Sequence, residues 1–195
     1  MMIAIRQVER PYTIDDLTDL PRDGRRYEII GGELVATSSP SSEHQLVSSR
    51  LQRFIGNHLA ETLSGEVFAA PYDVVLGTHD ILEPDLLVVL NEQSDIFTDA
   101  HLSGSPALVI EILSPASRAM DRVRKSATYA THGVPEYWIV DPDSEEILAQ
   151  SLIDGMYRRI PSEDGTIRSV SVQGLTVEPP DVFAGPSWIS KHRSE

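Results

Sequence analysis

Residues 107–113 read ALVIEIL, six apolar residues around one acid, Glu111. A run this short and this apolar suits a strand buried on both faces. Residues 136–141, EYWIVD, form a second run of the same kind. Between them, residues 117–132 (SRAMDRVRKSATYATH) predict a helix, closed by Gly133 and Pro135. A helix between two apolar strands is a crossover, so these strands are expected to be parallel and part of a layered α/β fold. On the helix, Met120, Val123, Ala127 and Ala130 form an apolar stripe. Asp121, Lys125 and Tyr129 follow one another at i, i+4 on the other side.

Working outward, residues 83–90 (EPDLLVVL) read as another buried strand, entered through Pro84 and Asp85. Residues 66–76 (EVFAAPYDVVL) read as a strand that Pro71 bends or places at an edge. Ser42 to about Leu63 predicts the clearest helix, with Ser42 and Gln45 as a capping box and Val47, Leu51, Phe54, Ile55 and Leu59 at helical spacing. Gly31-Gly32 between YEII and ELVA predicts a hairpin. TIDDLTDLP predicts a short helix with Thr13 as N-cap, stopped by Pro21. Residues 91–105 read as loop or short helix. EEILAQ, MYRRI and RSVSV read as short antiparallel strands extending the sheet, and the tail after Pro179 reads as loop. The sum is one α/β domain over residues 1–195: a mixed sheet flanked by helices, with an N-terminal hairpin, a core over about 27–142, a C-terminal strand extension over about 143–178 and a tail over about 179–195.

Of the 195 residues, 41% are hydrophobic and 24% charged, ordinary values for a globular chain. No apolar run nears the roughly 20 residues of a membrane span, so no membrane partner is expected. The opening MMIAIRQVERPYT has neither an extended apolar segment nor a small-residue cleavage site, so no secretory signal is expected. Cysteine is absent, which excludes disulfides and thiolate metal sites and suits a cytoplasmic setting. Any metal must be held by carboxylate, carbonyl, imidazole or water, which favours Mg²⁺ or Mn²⁺. A net charge of −14 counts against a general nucleic-acid coat. Local cation clusters remain: Arg22, Arg25 and Arg26, and Arg118, Arg122, Arg124 and Lys125. Either cluster can equally be a solvated surface.

Glu111 is the most informative residue, since a buried carboxylate is costly unless paired or bound to a cation. A strand with one solvent face, or an arginine partner, would also explain it. Asp85 alone reads as a turn residue, but beside Glu111 on a neighbouring strand it would be repelled without a cation between them. The motifs of phosphate-loop enzymes, zinc proteases and serine hydrolases are absent.

YEIIGGELV, the helix containing His44, EPDLLVVL, VIEILSPAS and DRVRKSATYATHGVPEYWIVDP together resemble the PD-(D/E)XK nuclease superfamily, and more closely its Uma-type branch of restriction endonucleases. The resemblance implies a restriction-endonuclease-like fold and metal-dependent hydrolysis of phosphodiester bonds, with DNA the expected substrate. It implies Asp85 and Glu111 as metal-binding and catalytic residues, and the carbonyl of Ile112 as a third ligand to Mg²⁺ or Mn²⁺. The superfamily's lysine belongs two residues after the acid, where this chain has Leu113. The branch implies that Lys125, on the following helix, takes that catalytic place. Glu28, His44 and Asp121 are secondary candidates, Arg118, Arg122 and Arg124 are candidate nucleic-acid contacts, and a homodimer is the implied assembly. The departure at Leu113 leaves two alternatives: a catalytically inactive nuclease-fold module that binds nucleic acid or a protein partner, and a structural protein whose Asp85 and Glu111 sit in ion pairs.

Overall fold

A computed structural model describes residues 10–21, 24–37, 39–114, 120–162 and 164–185, without the side chains of residues 120–122. It opens on α1 (Ile14–Leu17), where Asp16 accepts the Thr13 N–H at 2.8 Å. Strands β1 (Arg26–Ile30) and β2 (Glu33–Thr37) form the expected hairpin. Gly31 and Gly32 turn it with φ of 60° and 78°, as a two-residue turn of this hand requires. Helix α2 (Ser42–Thr62) follows, and its N-cap is Ser41, whose Oγ accepts the His44 N–H. The expected box at Ser42 is thus one residue out: Ser41 holds the extended backbone that an N-cap needs.

The single strand expected over 66–76 is two, β3 (Gly65–Ala69) and β4 (Val74–Gly77), separated at Pro71 and placed in different sheets. Proline removes a ladder donor, so the chain leaves one sheet there and joins another. Then come β5 (Asp80–Leu82), β6 (Leu86–Leu90), a 3₁₀ segment (Asn91–Ile96), β7 (Leu102–Ser103) and β8 (Leu108–Ile112). A π-helical segment (Met120–Lys125) runs into α3 (Ser126–Thr131), and β9 (Glu136–Asp141) lies parallel to β8 as expected. Strands β10 (Glu146–Ile153) and β11 (Met156–Arg159) extend that sheet antiparallel.

Residues 168–172 do not extend it. Only β12 (Ile167–Arg168) forms there, and it pairs with β13 (Thr176–Val177) in a separate two-stranded sheet. The segment after it is also not loop throughout, since Pro179–Phe183 is a helix, α4, that buries Val182 and Phe183. Proline at the start of a helix costs no hydrogen bond, and this explains why the Pro-Pro pair opens an element rather than ending one.

The larger sheet has the order β11-β10-β9-β8-β6-β3, and the smaller one β2-β1-β5-β4-β7. Both are mixed, through the parallel pairs β8/β9 and β4/β7. Along β8, Leu108, Ile110 and Ile112 pack with α2, while Val109 and Leu113 pack on the smaller sheet and α3. Glu111 shares the second face by the two-residue alternation of a strand. Among the described residues, no helix is long and apolar enough to cross a membrane.

Gly65 pairs with Leu90, and a Cβ there would run into the carbonyl of Val89 and stand 2.9 Å from the Leu90 Cα. Gly65→Ala is expected to cost about 1–3 kcal/mol by forcing β3 off β6. The check is the urea midpoint, and an unchanged midpoint would contradict this close approach.

Candidate functional site

Four elements bring titratable groups to one end of the two sheets: β1, the start of α2, the entry to β6, and β8 with the helix beyond it. Arg26 and Glu28 lie two apart on β1 and so share a face. His44 stands in the first turn of α2 and is buried. Asp85 immediately precedes β6. Since Leu86 pairs with Ile110, it comes opposite the Glu111 end of β8.

Asp85 is 4% exposed, and each of its oxygens is held. Oδ2 accepts the Ile112 N–H at 2.8 Å and contacts His44 Nε2 at 3.0 Å. Oδ1 accepts from Arg26 Nη1 at 2.8 Å. Burial pushes this carboxyl upward, but His44 and then Arg26 outweigh it and hold it at about 2. Burial likewise pulls on Arg26, and Asp85 overcomes it, so the guanidinium titrates above its usual value.

Glu111 is 3% exposed and takes both oxygens to Lys125 Nζ, at 3.0 and 3.1 Å, while Tyr129 Oη donates to Oε1 at 2.7 Å. Burial first, then the charge of Glu111, pushes the Tyr129 hydroxyl well above its usual range, so it stays a donor. Lys125 also reaches Glu28 Oε1 at 2.9 Å, and that same oxygen accepts the Glu83 N–H. The helix before β9 therefore turns the opposite way from its sequence pattern. Lys125 and Tyr129 face inward, and Val123 is 68% exposed. The i, i+4 spacing itself holds, since Lys125 and Tyr129 are both buried and Val123 and Ala127 both exposed; the polar stripe is the one that packs on Glu111.

Two groups, Arg26 and Glu83, escaped the sequence reading. Arg26 looked like one of three clustered surface cations; its two-residue spacing from Glu28 was the signal. Glu83, just before Pro84 and Asp85, looked like the polar start of a strand. It lies 3.6 Å from Arg26, and burial raises its carboxyl from the usual 4.5 to about 7. Asp73 is also raised by burial, with Glu28 adding to the effect. Buried side-chain atoms without a hydrogen bond include Arg26 Nε, Glu83 Oε1 and His44 Nδ1. Each such atom costs on the order of 1–3 kcal/mol.

Other candidates fall elsewhere. Arg124 donates to the Ile30 carbonyl at 3.1 Å and to Glu33 at 2.8 Å, so it ties the helix to the hairpin rather than presenting an open phosphate contact. Arg118 and the side chains of Asp121 and Arg122 lie outside the described residues. A cleft of about 790 Å³ opens over Asp85, lined also by Arg25, Arg26, His44, Asp73 and Glu83. Glu111 and Lys125, both buried, are not among the residues that line it.

Among the described residues, the charges at this end do not balance. Glu28, Glu83, Asp85 and Glu111 face Arg26, Lys125 and the imidazole of His44, with Asp73 on the cleft wall. Excess buried carboxylate with only hard oxygen donors fits a divalent cation of the Mg²⁺ class. Among the described residues, no three His, Asp or Glu side chains already converge as a cation cage. Arg26 and Lys125 occupy the carboxylates instead. Taken by itself, the raised Glu83 makes stability fall as pH rises in EDTA. Its folded value exceeds its unfolded one, so the folded state binds the extra proton. Its penalty is absent below about 4.5, grows as pH rises and is complete above about 7. Glu83→Gln is expected to flatten that slope in a pH series of urea midpoints, and an unaltered slope would argue against it.

Comparisons with known proteins bear on the family and the fold. An "Uncharacterized protein slr1290" of Synechocystis sp. is 28% identical over 130 residues, which are 65% of this chain and 66%, just under two thirds, of that relative. A crystal structure titled as a putative nuclease belonging to DUF820, from Anabaena variabilis, superposes with a TM-score of 0.73 at 20% identity, covering 89% of this chain and 98% of that one. At that identity the likeness shows the fold. The model of one family matches residues 14–183, a span that takes in both sheets and every site residue named above. The chain therefore belongs to the Uma2 family, described as "Putative restriction endonuclease".

Proposed function

We propose that the protein is a metal-dependent nuclease that hydrolyses phosphodiester bonds, with DNA as substrate, acting as one cytoplasmic domain in a homodimer. The observation that supports this most directly is Lys125 Nζ seated on Glu111, on the strand beside Asp85, under an open cleft. Asp85, Glu111 and the carbonyl of Ile112 would hold Mg²⁺ or Mn²⁺. Such a cation supplies Lewis acidity that offsets the negative charge building on the phosphate.

The remaining work falls to side chains of this chain. His44 and the Ile112 N–H fix Oδ2 of Asp85, which sets the direction of Oδ1. Tyr129 fixes Glu111 in the same way. Lys125, held between Glu28 and Glu111, donates toward the attacking water or a phosphate oxygen. Arg25, on the cleft wall, meets a flanking phosphate.

The direct test is cleavage of plasmid and single-stranded DNA by the purified protein with Mg²⁺ or Mn²⁺, against EDTA. Cleavage that survives EDTA unchanged, or no cleavage under any of these conditions, rejects the reading. One observation favours a catalytically inactive binding module: both central acids already carry an internal cation. Calorimetry separates the two, since a module of that kind takes up no Mn²⁺ that depends on Asp85. Light scattering on the eluting protein tests the homodimer.

A further inference from the structure

We infer that Arg26 is a two-position residue: it holds Asp85 when the cation site is empty, and the incoming cation drives it into the cleft, where it grips a substrate phosphate. The inference rests on Asp85 being a cation ligand, as proposed above. Oδ2 of Asp85 already has two partners, the Ile112 N–H at 2.8 Å and His44 Nε2 at 3.0 Å. That leaves Oδ1 to face a cation, and Oδ1 is the oxygen that Arg26 Nη1 holds at 2.8 Å. A guanidinium and a divalent ion on one oxygen would stand only a few ångströms apart, where like charges repel strongly away from bulk water. The two compete for Oδ1.

The seat of Arg26 is also an incomplete one. Its Nε is buried without a hydrogen bond. Its second acid, Glu83, has Oε1 3.6 Å from that Nε, within ion-pair reach but too far for a hydrogen bond, and Oε1 likewise has no hydrogen bond. The side chain is 24% exposed and lines the cleft of about 790 Å³, so the outward path is open. A phosphate there offers the guanidinium fork two oxygens at once, which this seat does not. Cation and nucleic acid then bind cooperatively. The first to bind releases the residue that receives the second, and the coupling is reciprocal.

The test uses the full chain, Mn²⁺ calorimetry, and anisotropy of a short labelled single-stranded oligodeoxynucleotide in EDTA and in Ca²⁺. In the parent, Ca²⁺ is expected to tighten oligonucleotide binding about tenfold, within the usual range of coupling between sites. Arg26→Ala is expected to remove that gain, to leave the EDTA affinity within about twofold, and to tighten Mn²⁺ binding severalfold. Arg26→Lys keeps the charge, serves if the alanine variant does not fold, and is expected to lose most of the Ca²⁺ gain because it lacks the fork. A loss of oligonucleotide affinity equal in EDTA and in Ca²⁺ overturns the inference, as does Mn²⁺ binding by Arg26→Ala that is unchanged or weaker. Asp85→Asn tells the two failures apart. Parent-like Mn²⁺ binding in that variant overturns the cation site, and the inference with it. Lost Mn²⁺ binding in Asp85→Asn, with Arg26→Ala behaving like the parent, overturns the arginine alone.

Discussion

Asp85→Ala and Glu111→Ala are each expected to lower cation-dependent DNA cleavage by about 10³-fold or more, the scale seen when a group that stabilises the transition state is removed. The two losses have different structural routes. Without Asp85, the Ile112 N–H, His44 Nε2 and Arg26 Nη1 lose one shared acceptor. Without Glu111, Lys125 keeps only Glu28 of the two acids it now bridges, and Tyr129 loses its acceptor. Either truncation also threatens folding, so Asp85→Asn and Glu111→Gln are the cleaner variants, because they keep shape and remove charge. Single-turnover cleavage by variants with parent-like circular dichroism is the measurement. Equal rates in parent and variants would sink the nuclease reading.

Lys125→Met is expected to cost about 3–5 kcal/mol of stability in EDTA, the usual scale when one member of a buried ion pair is removed. Lys125 is 4% exposed and stands between Glu28 and Glu111, which are 2% and 3% exposed. Methionine fills the volume of the stem and leaves two buried carboxylates without their cation. The loss therefore comes from charge, and Glu28→Gln added to Lys125→Met is expected to recover a measurable part of it. Urea unfolding of the two single variants and the double gives the coupling. A loss under about 1 kcal/mol would mean that Lys125 is no linchpin of the folded state. Cleavage falls in the same variant if the ammonium also serves the reaction.

Much of the fold was legible because local signals agreed with one another. ALVIEIL and EYWIVD are too apolar and too short to be other than buried strands, and the helix between them forces the parallel pairing that β8 and β9 show. Gly31-Gly32 marked its hairpin because few other residues take positive φ twice in succession. Glu111 stood out for a thermodynamic reason: a charge among six apolar neighbours needs a partner, and Lys125 and Tyr129 serve it. Where the reading went astray, the deciding fact was non-local. RSVSV alternates like a strand, yet the chain after β11 leaves the main sheet and pairs with residues 176–177 instead.

The sequence by itself determined the kinds of element, their order, and the presence of buried acids whose charge must be compensated. These follow from periodicity and from the cost of burying a carboxylate, both of which act over a few residues. Only the tertiary structure decided what compensates them. Arg26 and Asp85 are 59 positions apart, and His44 and Asp85 are 41 apart. No spacing rule links residues that meet only when two sheets pack. The helix face that carries Lys125 was decided the same way. Periodicity separates the stripe of Lys125 and Tyr129 from that of Val123 and Ala127 but does not say which one packs inward, and the partners Glu28 and Glu111 decide it.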